Sequence, residues 1–359
     1  MSSALSSQVL FSGNASLDQA GIQAYSFDEV TGKLKLIAAF SGFEKPSYIL
    51  PHPNAKWLYA VSETAQQSDG VPGSVLAIAI EKDPMRLKVI NRHLSGGDWP
   101  CHLRLDRSAK WLFVSNYQSG SAAVFPILED GSLGERSDHL QWQGGGPNRS
   151  RQAGAHAHSS ILSPDNRFLI VADLGSDLLL IHEFDPTNGK LKFHQRIAAR
   201  PGAGPRHMLF HPNGQKFYVT NELDNSVTVY AYDSLNGNLS PMDTLQTLPP
   251  DMPENIVADL HLSSDAHWLY VSNRGHNSLA LFRVDEDGGL SRKAIYKCGG
   301  NWPRNFSISP GGRFILVANQ NSGDICSLPL APDSGEIGEP VDSINIPHPT
   351  CVQFLLPPV

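Results

Sequence analysis

The sequence predicts an all-β protein: a seven-bladed β-propeller with four antiparallel strands per blade, its ring closed by N- and C-terminal strands in one blade. Three observations lead there. A segment recurs with a pitch near fifty residues; each recurrence carries a strand dense in Val, Ile, Phe, Tyr and Trp; and Asn/Asp/Gly turns stand where the hairpins must close. The first runs of the repeats begin at Pro46, Pro100, Ala157, Pro205, Val257, Pro303 and Pro349, at intervals of 54, 57, 48, 52, 46 and 46 residues.

Taken in chain order, residues 7–40 ("SQVLFSG…KLIAAF") supply three strands and no first run. Six complete repeats follow. In each, a short alternating run ("PSYILPHP", "PCHLRLDR", "AHSSILSP", "PRHMLFHP", "VADLHLSS", "PRNFSISP") precedes a second strand: "KWLYAVSE", "KWLFVSNY", "RFLIVADL", "KFYVTNEL", "HWLYVSNR" or "RFILVANQ". Third strands such as "DLLLIHEFD", "SVTVYAYD" and "SLALFRVD" then enter the turns "PTNGKL", "SLNGNL" and "DEDGGL". The last run, "PTCVQFLL" from Pro349, lacks partners of its own, so it completes the blade begun at the N-terminus. The 359 residues therefore form one propeller domain, residues 1–359, because a closed ring counts as a single domain at any length.

Composition narrows the function classes. Thirty-one glycines and 26 prolines fit many turns and few helices. A net charge of −7 argues against nucleic acid or an anionic membrane as partner. The opening "MSSALSSQVLFSGNAS" has no basic n-region and no apolar core of signal-peptide length, and no apolar run is long enough to span a bilayer, so a cytoplasmic location is expected. Four dispersed cysteines (Cys101, Cys298, Cys326, Cys351) without C-x-x-C spacing read as free thiols. The expected partner is a small molecule, with the chain a monomer or weak homo-oligomer.

Candidate site residues come from the repeat register. First strands line a propeller's channel, and the start of the first strand shares a face with the end of the second. One column of the repeat holds Ser47, Cys101, His158, Arg206, Ala258, Arg304 and Thr350; the next holds Tyr48, His102, Ser159, His207, Asp259, Asn305 and Cys351. The second-strand ends add Glu63, Asn116, Asp173, Glu222, Arg274 and Gln320. Each alone also fits an ion pair between blades. Together, three arginines and three histidines at one mouth make a basic site in an acidic protein, suited to an anionic small molecule. His156 and His158, two apart in "GAHAHS", form an H-x-H pair; a third metal ligand is not fixed by spacing, and no metal or other cofactor is expected. "GGGPNRS" at 144–150 has no following helix, so the phosphate-loop reading fails, and no G-x-S-x-G elbow occurs.

The segments "GGGPNRSRQAGAHAHS" (144–159), "GAGPRHMLFHPNGQKFYVTNELDNSVTVYAYD" (202–233) and "SNRGHNSLALFRV" (272–284) resemble the seven-bladed β-propeller lactonase family, which contains propeller-type 6-phosphogluconolactonases and carboxy-cis,cis-muconate cyclases. The resemblance spans essentially the whole chain and implies a catalytic set of His158 (or His156), Arg206, Glu222 and Arg274. Substrate contacts are expected from His102, His156, His207, Asp259, Arg304 and Asn305. The implied reaction is hydrolysis of a sugar lactone, 6-phosphogluconolactone foremost, by general-base-assisted attack of water with arginine stabilisation of the oxyanion. That substrate would put the protein in the pentose phosphate pathway. The competing readings are a muconate-type cycloisomerase using the same basic mouth and a non-catalytic propeller scaffold; the loop at 143–155, which leads into the histidines, favours an active site.

Overall fold

The computed structural model describes residues 8–17, 21–250, 252 and 254–357. Among them lie seven four-stranded antiparallel sheets and one helical turn, Gln66–Asp69. This is the architecture of a seven-bladed β-propeller. No helix among the described residues is long and apolar enough to cross a membrane. The sheet predicted to close the fold joins Pro349–Leu355 to Gln8–Asn14, then Ile22–Phe27 and Leu34–Phe40, with Val9 opposite Leu355 and Ser12 opposite Val352. All four cysteines are free and buried.

The strands follow from where each lies in its sheet. Second strands such as Phe168–Asp173 are buried along their whole length, so they read as unbroken apolar runs. Outermost strands such as Lys190–Ala198 have no fully buried residue and carry Lys, His, Gln and Arg.

Two compact units divide the chain. One, Met1–Leu58, Ile80–Lys88 and Thr247–Val359, holds the closing sheet and the sheets that begin with Ile256–Leu262 and Pro303–Ile308. The other, Tyr59–Ala79 and Val89–Gln246, holds the sheets that begin with Pro100–Leu105, Ala157–Leu162 and Pro205–Phe210. Each has its own apolar layers between successive sheets: Phe27, Phe314 and Phe354 in the first, Ile170, Phe217 and Tyr230 in the second. Burying each such side chain contributes about 1.5–3 kcal/mol.

One irregularity recurs. The inner strands slip register between Pro100 and His102, Ala157 and Ser159, Pro205 and Met208, Val257 and Leu260, and Pro303 and Asn305. The slip in the closing sheet skips Thr350. A bulge frees a residue from the ladder and re-aims its side chain. The residues so freed come from the two predicted columns: Cys101, His158, Arg206, Ala258 and Arg304 from the first, His207 and Asp259 from the second.

Candidate active site

In the second unit, Glu222 follows the strand Lys216–Asn221, and its N–H donates to the Gly204 carbonyl at 2.7 Å, which draws it against the segment leading to Arg206. Arg206 stands in the bulge, and its Nε donates to Glu222 Oε2 at 2.8 Å; each side chain is 2% exposed. The other carboxylate oxygen, Oε1, accepts from Nη2 of Arg151, whose side chain is 35% exposed. Two guanidiniums therefore share one buried carboxylate, leaving a net charge of +1. The same Nη2 approaches the Tyr117 hydroxyl at 3.3 Å. Burial works against the Arg151 charge, but Glu222 and Tyr117 outweigh it and hold the guanidinium pKa above its ordinary value. Burial also raises the Tyr117 phenol, opposed by Arg151.

Buried imidazoles adjoin this cluster. His207 contacts His158 at 5.3 Å and His102 at 5.5 Å between ring centroids, both edge to face. His102 Nδ1 accepts the Ser160 N–H at 3.4 Å, so in the neutral ring Nε2 carries the proton. Tyr117 meets both members of the H-x-H pair in different ways: His156 stacks flat on it at 4.5 Å, while His158 meets it edge-on at 5.4 Å. His156 Nδ1 donates to the Tyr117 carbonyl at 3.0 Å, so in the neutral ring Nε2 is the acceptor. Among the described residues, no group of three or more His, Cys, Asp or Glu side chains is arranged to hold a metal ion.

Asp173 anchors the entry to this strand. Its Oδ1 accepts N–H groups of His156 (2.7 Å), Gly175 (3.0 Å) and Ser176 (3.2 Å), and burial raises its carboxyl pKa against those bonds. Gly175 must lack a side chain, because a Cβ there would sit 1.9 Å from the Gly154 carbonyl oxygen.

In the first unit, Arg274 ends the strand Trp268–Arg274, donates to the Val257 carbonyl at 3.0 Å and lies over the Trp302 ring at 5.7 Å. Arg304 reaches Gln320 Oε1 at 3.4 Å. Asp259 accepts from Asn305 Nδ2 (2.5 Å), His261 Nε2 (3.0 Å) and the Phe306 N–H (3.4 Å), while Asn305 Oδ1 accepts the Val352 N–H at 2.8 Å. Expected as substrate contacts, Asp259 and Asn305 here staple three successive inner strands, and both ends of the Asn305 amide are taken by protein.

Tyr117 and Arg151 were missed from sequence. The ladders pair Asn116 with Pro100, Asp173 with Ala157, Asn221 with Pro205 and Asn273 with Val257. The column that contains Glu222 and Arg274 therefore contains Tyr117 and Leu174, not Asn116 and Asp173. An alignment shifted by one residue at those two repeats finds Tyr117. Arg151 lies outside any strand, and its one signal is its place in "GGGPNRSRQAGAHAHS".

Known proteins share this architecture and much of the sequence. Residues 8–354 match the model of the family "Lactonase, 7-bladed beta-propeller". The chain is 32% identical over 337 residues to the 6-phosphogluconolactonase of Bacillus subtilis, covering 92% of this chain and 94% of that protein. Against the 6-phosphogluconolactonase of Formosa agariphila it is 35% identical over 328 residues, covering 88% and 90%. Among solved structures, the periplasmic gluconolactonase of Pseudomonas aeruginosa superposes with a TM-score of 0.92 at 32% identity, over 97% of this chain and 99% of that one. A putative 6-phosphogluconolactonase of Bacteroides fragilis gives 0.90 at 30%, over 99% of each chain.

Proposed function

Because this chain belongs to the seven-bladed β-propeller lactonase family, and is thereby a lactone hydrolase, we propose that it opens 6-phosphogluconolactone to 6-phosphogluconate in the cluster built on Glu222. The observation that carries this reading is the pair of guanidiniums, Arg206 and Arg151, on one buried carboxylate, linked through Tyr117 to the imidazoles of His156 and His158.

Lactone hydrolysis needs a base for water, donors for the developing oxyanion and a proton for the departing ring oxygen. With both oxygens held by guanidiniums, Glu222 is a poor base, and its work is to fix the two arginines. The base is an imidazole of the His158–His207 pair. It takes a proton as the water oxygen bonds to the carbonyl carbon and the carbonyl electrons move onto oxygen. Arg206, held rigid by Glu222, donates to that oxyanion, a role worth about 10²–10³-fold for a single pre-aimed donor. Collapse of the tetrahedral intermediate breaks the bond from the carbonyl carbon to the ring oxygen, which takes the proton back from the imidazolium.

The test is turnover of freshly prepared 6-phosphogluconolactone, coupled to phosphogluconate dehydrogenase, for wild type, Arg206→Ala and Glu222→Gln. Wild type should far exceed the uncatalysed rate, and Arg206→Ala should lose most of kcat. A wild-type rate equal to background removes this substrate, whereas an unaffected Arg206→Ala removes this site. The role that the family resemblance implies for Arg274 is tested by Arg274→Ala in the same assay.

A further inference from the structure

The relatives include proteins named for a phosphorylated lactone and one named for an unphosphorylated lactone, so the residue that tells the two apart is an open question. Arg151 is the member of the charged cluster that solvent reaches: 35% exposed, against 2% for Arg206 and Glu222. Its Nη2 is engaged by Glu222 and Tyr117, while Nε and Nη1 take no hydrogen-bond partner among the described residues.

The loop that presents it is built in advance. Gln152, 1% exposed, donates to the Leu174 carbonyl at 2.9 Å and Asp177 Oδ1 at 2.8 Å, and its own Oε1 accepts the Asn148 N–H at 3.0 Å. The Arg151 N–H closes a turn on the Asn148 carbonyl at 3.0 Å. Asp177 also accepts the N–H groups of Gly202 (2.6 Å) and Gly204 (2.8 Å), four and two residues before Arg206. One buried carboxylate thus ties the loop of Arg151 to the loop of Arg206, so the two guanidiniums keep their spacing without a ligand. Preorganised donors on a net-positive cluster suit an anion, and a guanidinium with two uncommitted nitrogens matches the oxygens of a phosphate monoester. A neutral sugar lactone has no group that needs such a charge.

We propose that Arg151 is the specificity-determining residue of this site: it binds the phosphate of a phosphorylated lactone through Nε and Nη1 while Nη2 stays on Glu222. The inference rests on the lactonase reading above.

Its test compares 6-phosphogluconolactone with δ-gluconolactone as substrates, and 6-phosphogluconate with gluconate as ligands in direct titration, for wild type, Arg151→Ala, Arg151→Lys and Arg149→Ala. Arg149, exposed in the same loop, controls for loop charge in general. The ratio of kcat/KM for the phosphorylated over the unphosphorylated lactone should fall about 10-fold or more in Arg151→Ala, through KM rather than kcat, as loss of a charge-assisted hydrogen bond requires. Arg151→Lys should restore part of it, and Arg149→Ala should leave it within about twofold. A parallel loss of kcat on both substrates makes Arg151 a support for Glu222 only and overturns the proposal; so does a ratio that follows Arg149 instead. If wild type turns over neither lactone, the lactonase reading fails on its own. In that case a wild type that binds 6-phosphogluconate no better than gluconate, or an Arg151→Ala variant that binds both as wild type does, overturns the phosphate site.

Discussion

Arg206 with Glu222 in one unit, and Asp259 with Asn305 in the other, both rest on bulged inner strands, and both bury a carboxylate. They differ in what the carboxylate is given. Glu222 meets two charged donors, one of them open to solvent, so the cluster keeps a surplus positive charge. Asp259 meets an amide and a backbone N–H from the next inner strand and the half-buried imidazole of His261, with no guanidinium among these donors. Replacing a buried ion pair by apolar residues is often neutral for stability, so a retained pair points to function. A carboxylate that accepts an amide and a backbone N–H from the next inner strand points to architecture. One backbone device serves two ends, and the donor set tells which.

The comparison breaks first at Arg206. Arg206→Ala should lower kcat by about 10²–10³-fold and cost about 3–5 kcal/mol of stability by leaving Glu222 short of a donor. The double replacement Arg206→Met with Glu222→Leu should recover much of the stability and none of the activity. Denaturant melts beside the coupled assay separate the two effects, and a double variant that stays active sinks the contrast.

Next comes Asp259→Ala, which orphans Asn305 and should cost about 2–3 kcal/mol in the same melts. Its kcat per folded molecule should stay within about threefold of wild type. A large loss of kcat at unchanged stability would instead make Asp259 part of the reaction.

A smaller effect lies away from both clusters. Burial in the second unit pushes the His182 pKa down to about 4. Protonation therefore favours the unfolded chain, whose histidine titrates near 6.5. The penalty is absent above about pH 6.5, grows as pH falls toward 4, and reaches about 2 kcal/mol at pH 5. His182→Phe should flatten stability against pH across that window and leave the lactonase ratio of the previous test unmoved. Equal pH slopes for variant and wild type would count against it.

Much of this was legible beforehand. The seven first runs, the second strands and the pairing of the two termini follow from repeated alternation of side chains. Arg206 and Glu222 were found because each repeats at a register position. Tyr117 escapes the sequence register because the Asn116 and Asp173 repeats align there one residue out of step, which exchanges the faces of a strand. His156 and His158 were paired by i, i+2 logic, but the bulge at His158 breaks that alternation, and the rings meet Tyr117 edge-on and face-on. Arg151 had no periodic neighbours to be aligned with.

The sequence by itself determined the number of strands, their order and the closing of the fold, because turn chemistry and β-branched alternation act over a few residues and recur seven times. Only the tertiary structure decided which buried carboxylate became a charged hub and which a staple. Arg151 reaches Glu222 across 71 residues of chain, and Asn305 reaches Asp259 across 46. Contacts that distant depend on how bulges and loops aim side chains after the strands have paired, and no local pattern carries that information.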